Sequence, residues 1–252
     1  MKLKCITALT CILIVLIDNQ YSFGELIVNE GETYILDYQE DHCIVPFGST
    51  LIVQDGGYAD LADFWPTSKL IMNGGFIYGV VSAENITAKI YGGEITNLSM
   101  QGVFEIMGGC VGGANNEGYS YIRGGSISDL DVGPSSHAWI TGGSIDYVNI
   151  DRSEAHIFGT GVNNLHIWWG GEVYIYADQF KLDGIDIGYG TLYSDQLSGS
   201  HILEYTLSNG MVGKTDIYMD YGAGGYISSI TLIPEPATVL LLGIGSIISR
   251  RR

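Results

Sequence analysis

His166-Ile167-Trp168-Trp169, followed closely by Tyr174 and Tyr176, is the densest run of aromatic side chains in the chain. Exposed indole and phenol rings stack on the apolar faces of sugar rings, so Trp168, Trp169, Tyr174 and Tyr176 are the candidate glycan-stacking residues. Two adjacent tryptophans on one strand must face opposite sides, which places one of them in the core and leaves the other outside. The competing reading is packing beneath a C-terminal cap. His137, His156 and His166 are the histidines that invite a metal reading. They lie five, three and four residues before the nearest following glycine. Their phases differ, so no shared metal site is expected. No zinc spacing, nucleophile elbow or nonapeptide calcium repeat is present. No cofactor is expected, and calcium has no motif behind it.

The elements that must position these residues repeat. Gly-Gly pairs stand at 56-57, 74-75, 92-93, 108-109, 124-125, 142-143 and 170-171. The first six begin 16 or 18 residues apart. An aliphatic residue or Met sits two before the first glycine: Met72, Ile90, Ile106, Ile122, Ile140 and, before Gly159, Ile157. Another sits three after: Ile77, Ile95, Val111, Ile127, Ile145 and Val162. Leu98/Met100, Leu130/Val132 and Val148/Ile150 add a second apolar pair. A fixed short period with β-branched residues at alternating positions predicts an all-β, single-chain parallel β-helix, a β-solenoid with about 16–18 residues per coil. Helical repeats are longer, and this much glycine would weaken them. The apolar sites at −2 and +3 differ by an odd number, so an unbroken strand would point them apart; a bend at Gly-Gly lets both face inward.

The flanks read as caps. Residues 25–38 form two short strands about Asn29-Glu30-Gly31-Glu32, closing the N-terminal end of the solenoid. Residues 60–68 break the register and read as a loop thrown out from a coil. After Gly171 the glycine frame fades, but Val173-Tyr174-Ile175-Tyr176 and Ile202 to Leu207 read as strands, and Ser208-Asn209-Gly210 as a hairpin turn. The division is 1–24, a signal peptide; 25–187, the solenoid; 188–232, a C-terminal β cap; and 233–252, a terminal signal.

Both ends read as addresses. Met1-Lys2-Leu3-Lys4 is basic, 5–17 is apolar, and Ser22-Phe23-Gly24 offers small residues before a cut at Glu25. That is the pattern of a secretory leader. At the other end Pro234-Glu235-Pro236 precedes an apolar run over 237–248 and then Arg250-Arg251-Arg252. The apolar run is about a dozen residues, against the roughly 20 that span a bilayer comfortably. Terminal arginines favour the cytoplasmic side. This three-part tail resembles the bacterial PEP-CTERM sorting signal. The resemblance covers the tail alone. It implies an exported protein that is a client of an exosortase-type membrane protease, anchored transiently in the inner membrane, then released to the cell surface or extracellular matrix.

Composition bounds the partners. The chain of 252 residues carries 28 Asp and Glu against 11 Lys and Arg, a formal charge of −17. Such a surface repels nucleic acid, whose binding rests on phosphate neutralisation. It also disfavours anionic polysaccharide unless a divalent cation bridges the two. Without the leader and tail, Cys43 and Cys110 remain. Separated by several coils, they are expected as unpaired, buried thiols. The solenoid invites comparison with pectate-lyase-like enzymes, which use acidic calcium ligands and a basic residue on one face of a β-helix. The comparison nominates Asp129, Asp131, Asp146 and Asp151 with Arg123 or Arg152. The aspartates fall at different offsets from their glycine pairs, and no motif of those enzymes is visible. The expectation is a non-enzymatic matrix or adhesive protein that meets extracellular polysaccharide. The alternative is a polysaccharide-binding or polysaccharide-degrading enzyme on the same scaffold.

Overall fold

A computed structural model describes residues 25–159, 161–197, 199–220 and 225–235. The leader, Pro236, the apolar run and Arg250, Arg251 and Arg252 lie outside the described residues. Among the described residues no helix is long and apolar enough to cross a membrane.

The described chain is all β: a parallel solenoid of about 8 turns, with about 18 residues in each and no helix. Each turn gives one strand to each of two parallel sheets. The long-strand sheet includes Tyr58–Phe64, Cys110–Asn116, Ser126–Val132, Ser144–Asp151 and Val162–Trp168. The short-strand sheet includes Thr50–Val53, Lys69–Met72, Tyr119–Ile122, His137–Ile140, Glu154–Ile157 and Glu172–Ala177. The strands Phe76–Ile90 and Glu94–Ile106 run through the corner and serve both sheets.

The repeat frame is the core. The residues two before the glycine and three after it, from Met72 and Ile77 to Ile157 and Val162, are all buried, as are Leu130/Val132 and Val148/Ile150. They belong to one hydrophobic cluster that runs the length of the solenoid. Each buried aliphatic side chain contributes roughly 1.5–3 kcal/mol. The Gly-Gly corner works as its spacing implies. Gly143 has φ 85°, and a Cβ on Gly142 would stand 2.6 Å from the Arg123 carbonyl oxygen of the preceding turn. One glycine turns the chain and the other lets consecutive turns close up. A second bend follows three to five residues later: Ile127 and Leu130 both point inward, and residue 128 drops out of the register between them.

Three expectations need correction. Residues 60–68 are not an excursion: Tyr58–Phe64 pairs in register on both sides, and a tight turn through Trp65, Pro66 and Thr67 (φ 66°) leads to the next strand. The aspartates at 60 and 63 disguise a regular rung because they occupy outward positions. Glu25–Ile27 and Thr33–Leu36 are the two short strands expected at the N-terminal end, and they close it as the solenoid's first rung, parallel with the next turn. Cys43 is buried and unpaired, but Cys110 is exposed, because the first position after Gly-Gly faces outward. Antiparallel pairing begins at Gln179 with the hairpin of Gln179–Leu182 and Ile185–Ile187, ahead of residue 188.

Above the last coil the chain closes its own open end. The hairpin of Gly199–Thr206 and Val212–Met219, turned at Ser208-Asn209-Gly210, lays its second strand parallel on Val162–Trp168. Ser229–Pro234 lies parallel on Glu172–Ala177, and Gly190–Tyr193 pairs antiparallel outside it. Tyr205 is buried and its hydroxyl donates to the Gly159 carbonyl at 2.9 Å. These added strands cover edges that would otherwise pair with other chains.

Candidate functional site

The outer side of the short-strand sheet carries rings in consecutive turns. Tyr119 and Tyr121, His137 and Trp139, Glu154 and His156, then Glu172 and Tyr174 occupy the two outward positions of four successive strands, in register. Phe158 and Tyr176 follow just after. Inward neighbours on the same strands are Ser120, Ala138, Ala155 and Val173, so the alternation of a strand places every ring outside.

The rings stack along the solenoid axis. Tyr121 and Trp139 have centroids 5.1 Å apart and planes 13° apart. Trp139 and His156 follow at 5.7 Å and 6°, His156 and Tyr174 at 4.8 Å and 12°. Phe158 and Tyr176 lie 4.2 Å apart at 10°. Beside this column, Tyr119 and His137 stack at 5.4 Å and 13°. Parallel rings this close overlap through their faces, so the ladder shows ring edges and polar tips to solvent.

Those tips are tied together. His156 Nε2 meets Glu154 Oε1 at 2.5 Å and its Nδ1 meets the Tyr176 hydroxyl at 3.0 Å. Tyr174 donates to Glu172 at 2.8 Å. That bond to a carboxylate, with some burial, pushes the Tyr174 phenol up to about 12. Burial, helped by the Glu154 charge, raises Tyr176 as well. Both phenols therefore hold their protons at neutral pH and act as donors.

The sequence candidates divide among three places. Tyr174 and Tyr176 end the ladder. Trp168 closes its strand on the outer side of the long-strand sheet, half-buried beside Tyr218 at 5.4 Å and His166 at 5.9 Å. Trp169 stands in the following turn with φ 45°, exposed, with the Arg152 guanidinium 5.8 Å from its ring centroid. Neither indole is in the core, because the strand ends between them and alternation does not carry across the turn. Asp129, Asp131, Asp146 and Asp151 are spread over the long-strand sheet. Asp131 accepts from Asn149 at 2.7 Å, Asp146 from Asn163 at 2.8 Å, and Asp151 pairs with Arg152 at 3.1 Å. Arg123 instead pairs with Glu105 at 3.0 Å.

His137 and His156 do share a face, since offsets of five and three differ by one strand repeat; His166 is on the other sheet. Among the described residues no three His, Cys, Asp or Glu side chains converge on a metal position. Sequence reasoning passed over Tyr119, Tyr121, Trp139 and Phe158. The signal was there: rings recur five and three residues before the turn glycine, at odd offsets that alternate with the inward even ones.

No protein-family model, no curated protein and no solved structure matches this chain. The class established by the geometry is a capped parallel β-solenoid.

Proposed function

We propose that this is an exported, non-enzymatic β-solenoid that reaches the cell surface or extracellular matrix by a PEP-CTERM/exosortase-type route and acts there as a structural or adhesive component of the polysaccharide matrix. The observation that carries the adhesive reading is the ring ladder from Tyr119 and Tyr121 to Tyr174 and Tyr176, continuous over four turns of a rigid scaffold. Aromatic edges beside phenol and imidazole groups suit sugar chains, which offer hydroxyls and C–H surfaces together. Three of the four candidate aspartates, Asp131, Asp146 and Asp151, are occupied by Asn or Arg partners, which favours a solvated surface over a catalytic cluster.

Delivery rests on Met1-Lys2-Leu3-Lys4 with the apolar run behind it, and on Pro234-Glu235-Pro236 with the run and arginines that follow. Pro234 pairs with Ala177 in the final rung, and Glu235 accepts from the Ser208 amide at 2.6 Å. A cut beyond Glu235 would leave that rung complete. The test is intact-mass analysis of the protein from native culture. The expected product lacks residues 1–24 and Arg250-Arg251-Arg252, and alanines at 234–236 should trap it in the inner membrane. An extracellular product that keeps the three arginines would end the sorting reading. A glycan array with and without calcium, run beside a lyase assay on acidic polysaccharides, tests the rest. Unsaturated oligosaccharide product would replace the adhesive reading with the enzyme.

A further inference from the structure

The ladder has an unfilled end. Tyr119 is its first ring, in register with Val103 in the turn before and His137 in the turn after. His137 covers one face of the Tyr119 ring. The opposite face looks over Val103, which is an aliphatic side chain 37% exposed where the next two turns carry rings. A groove of about 440 Å³ lies there, across three turns at the corner between the sheets. Gly102 and Gly118 let the three turns lie close together there. A Cβ on Gly118 would meet the Gly102 carbonyl oxygen at 2.1 Å, and one on Gly102 would meet the Ile86 oxygen at 2.2 Å. The corresponding corner of neighbouring turns carries Ser68, Ser136 and Ser153.

The groove is polar at its rim and apolar at its floor. Glu84, Gln101 and Glu117 come from three successive turns, and Gln101 Nε2 donates to Glu117 Oε2 at 2.8 Å. Val103 and the Tyr119 ring supply the apolar part. A flat ligand ring laid on Tyr119 would continue the stack by one step, with its edge substituents level with the carboxylates and the amide. The ionisable rim groups are both carboxylates, so a negatively charged ligand is repelled. Carboxylates and an amide accept readily from hydroxyls.

We propose that this groove is a binding subsite for a neutral hexopyranose unit of a polysaccharide, stacked on the free face of Tyr119 and held through its hydroxyls by Glu84, Gln101 and Glu117. The proposal rests on the polysaccharide-binding part of the reading above and is independent of the route of export. It makes the surface selective: neutral chains are held and uronic-acid chains are turned away.

The test is equilibrium titration of the full-length protein, kept in detergent for its apolar segment, with cellohexaose, maltohexaose, a galacturonic acid hexamer and a chitosan hexamer. A neutral hexamer should bind with little dependence on salt. Tyr119→Ala should weaken it by about tenfold, the loss of one ring contact, while Tyr119→Phe keeps it. Val103→Trp should fill the groove and abolish binding without lowering the melting temperature. Preference for the galacturonic acid or chitosan hexamer would overturn the subsite. Neutral binding that ignores Tyr119→Ala and Val103→Trp would also overturn it, yet leave the polysaccharide reading standing. Binding of none of the four sugars would remove both.

Discussion

Inward, the long-strand sheet presents Ile127, Leu130 and Val132, and the short-strand sheet presents Ala138 and Ile140, all buried. Outward, the two sheets part company. The long-strand sheet mixes short polar residues such as Asp129, Asp131, Asn149 and Asn164, with Asn149 donating to Asp131, and rings at Tyr147, His166, Trp168 and Tyr218 that meet edge-on or tilted. The short-strand sheet shows Tyr121, Trp139, His156 and Tyr174, stacked ring on ring. The inner positions are dictated by burial and hardly differ between the sheets. The outer positions are not constrained by burial in the core, so they are free to differ between the sheets. The rings were not required by the scaffold, since Ile52, Ile71 and Lys89 hold the same outward column in earlier turns.

The sharpest way to break this comparison is to exchange the two environments. Ile145→Asp places an unpaired charge in the inner cluster and should cost about 4 kcal/mol or more. Asp129→Ala, on the outer side of the same sheet, should change stability by no more than about 0.5 kcal/mol. Urea titration of the two variants measures the contrast. Equal effects would mean that inward and outward have been assigned wrongly.

How much of this was legible in the chain follows from what leaves a periodic trace. The solenoid did, because Ile and Val at fixed offsets from Gly-Gly are the core itself. The bend at Gly143 did too, since an odd spacing between two buried residues demands one. The second bend, near residue 128, left the same odd spacing, between Ile127 and Leu130, but no glycine marks it. The rung at 58–64 was hidden by its outward Asp60 and Asp63. The ladder was half legible. Tyr174 and Tyr176 stand out beside Trp168 and Trp169, but the tryptophans are on other surfaces, and neighbours in sequence are not neighbours on a solenoid. Residues about one turn apart are, as Trp139 and His156 demonstrate. The groove at Tyr119 could not be read at all, since it forms between short segments of three turns, 84–87, 101–103 and 117–119, that are distant in sequence.

A second comparison lies within the tryptophans. Trp139 is enclosed between Tyr121 and His156, Trp168 leans on Tyr218, and Trp169 stands exposed beside the Arg152 cation. Ring pairs contribute about 0.5–1.5 kcal/mol each, and an exposed cation–π contact contributes about 0.5–1 kcal/mol. Replacement by Ala should therefore lower stability most at 139, by about 2 kcal/mol, less at 168 and least at 169. Thermal melts of the three variants check the order. A loss at Trp169 as large as at Trp139 would mean that the turn indole is packed and not free.

The smallest effect separates the two thiols. Cys43 faces inward in the long-strand sheet and Cys110 outward. Burial, with a smaller contribution from the Glu40 charge, pushes the Cys43 thiol up to about 12 from an ordinary 9.0. A group whose folded-state pKa is raised stabilises the fold below its unfolded value, and that contribution is lost as pH climbs through the folded value. The window for Cys43 is therefore pH 9 to about 12. At neutral pH Cys43→Ala should be slightly less stable than the parent, from the lost packing of a small buried group. The difference should shrink as pH rises through that window, because only the parent has a thiol to ionise. A thiol reagent at pH 8 should label Cys110 in the folded protein and reach Cys43 only after denaturation. Labelling of both at the same rate would mean that the long-strand sheet opens at its N-terminal rungs, and the contrast between an invariant interior and a variable exterior would then hold only for the later turns.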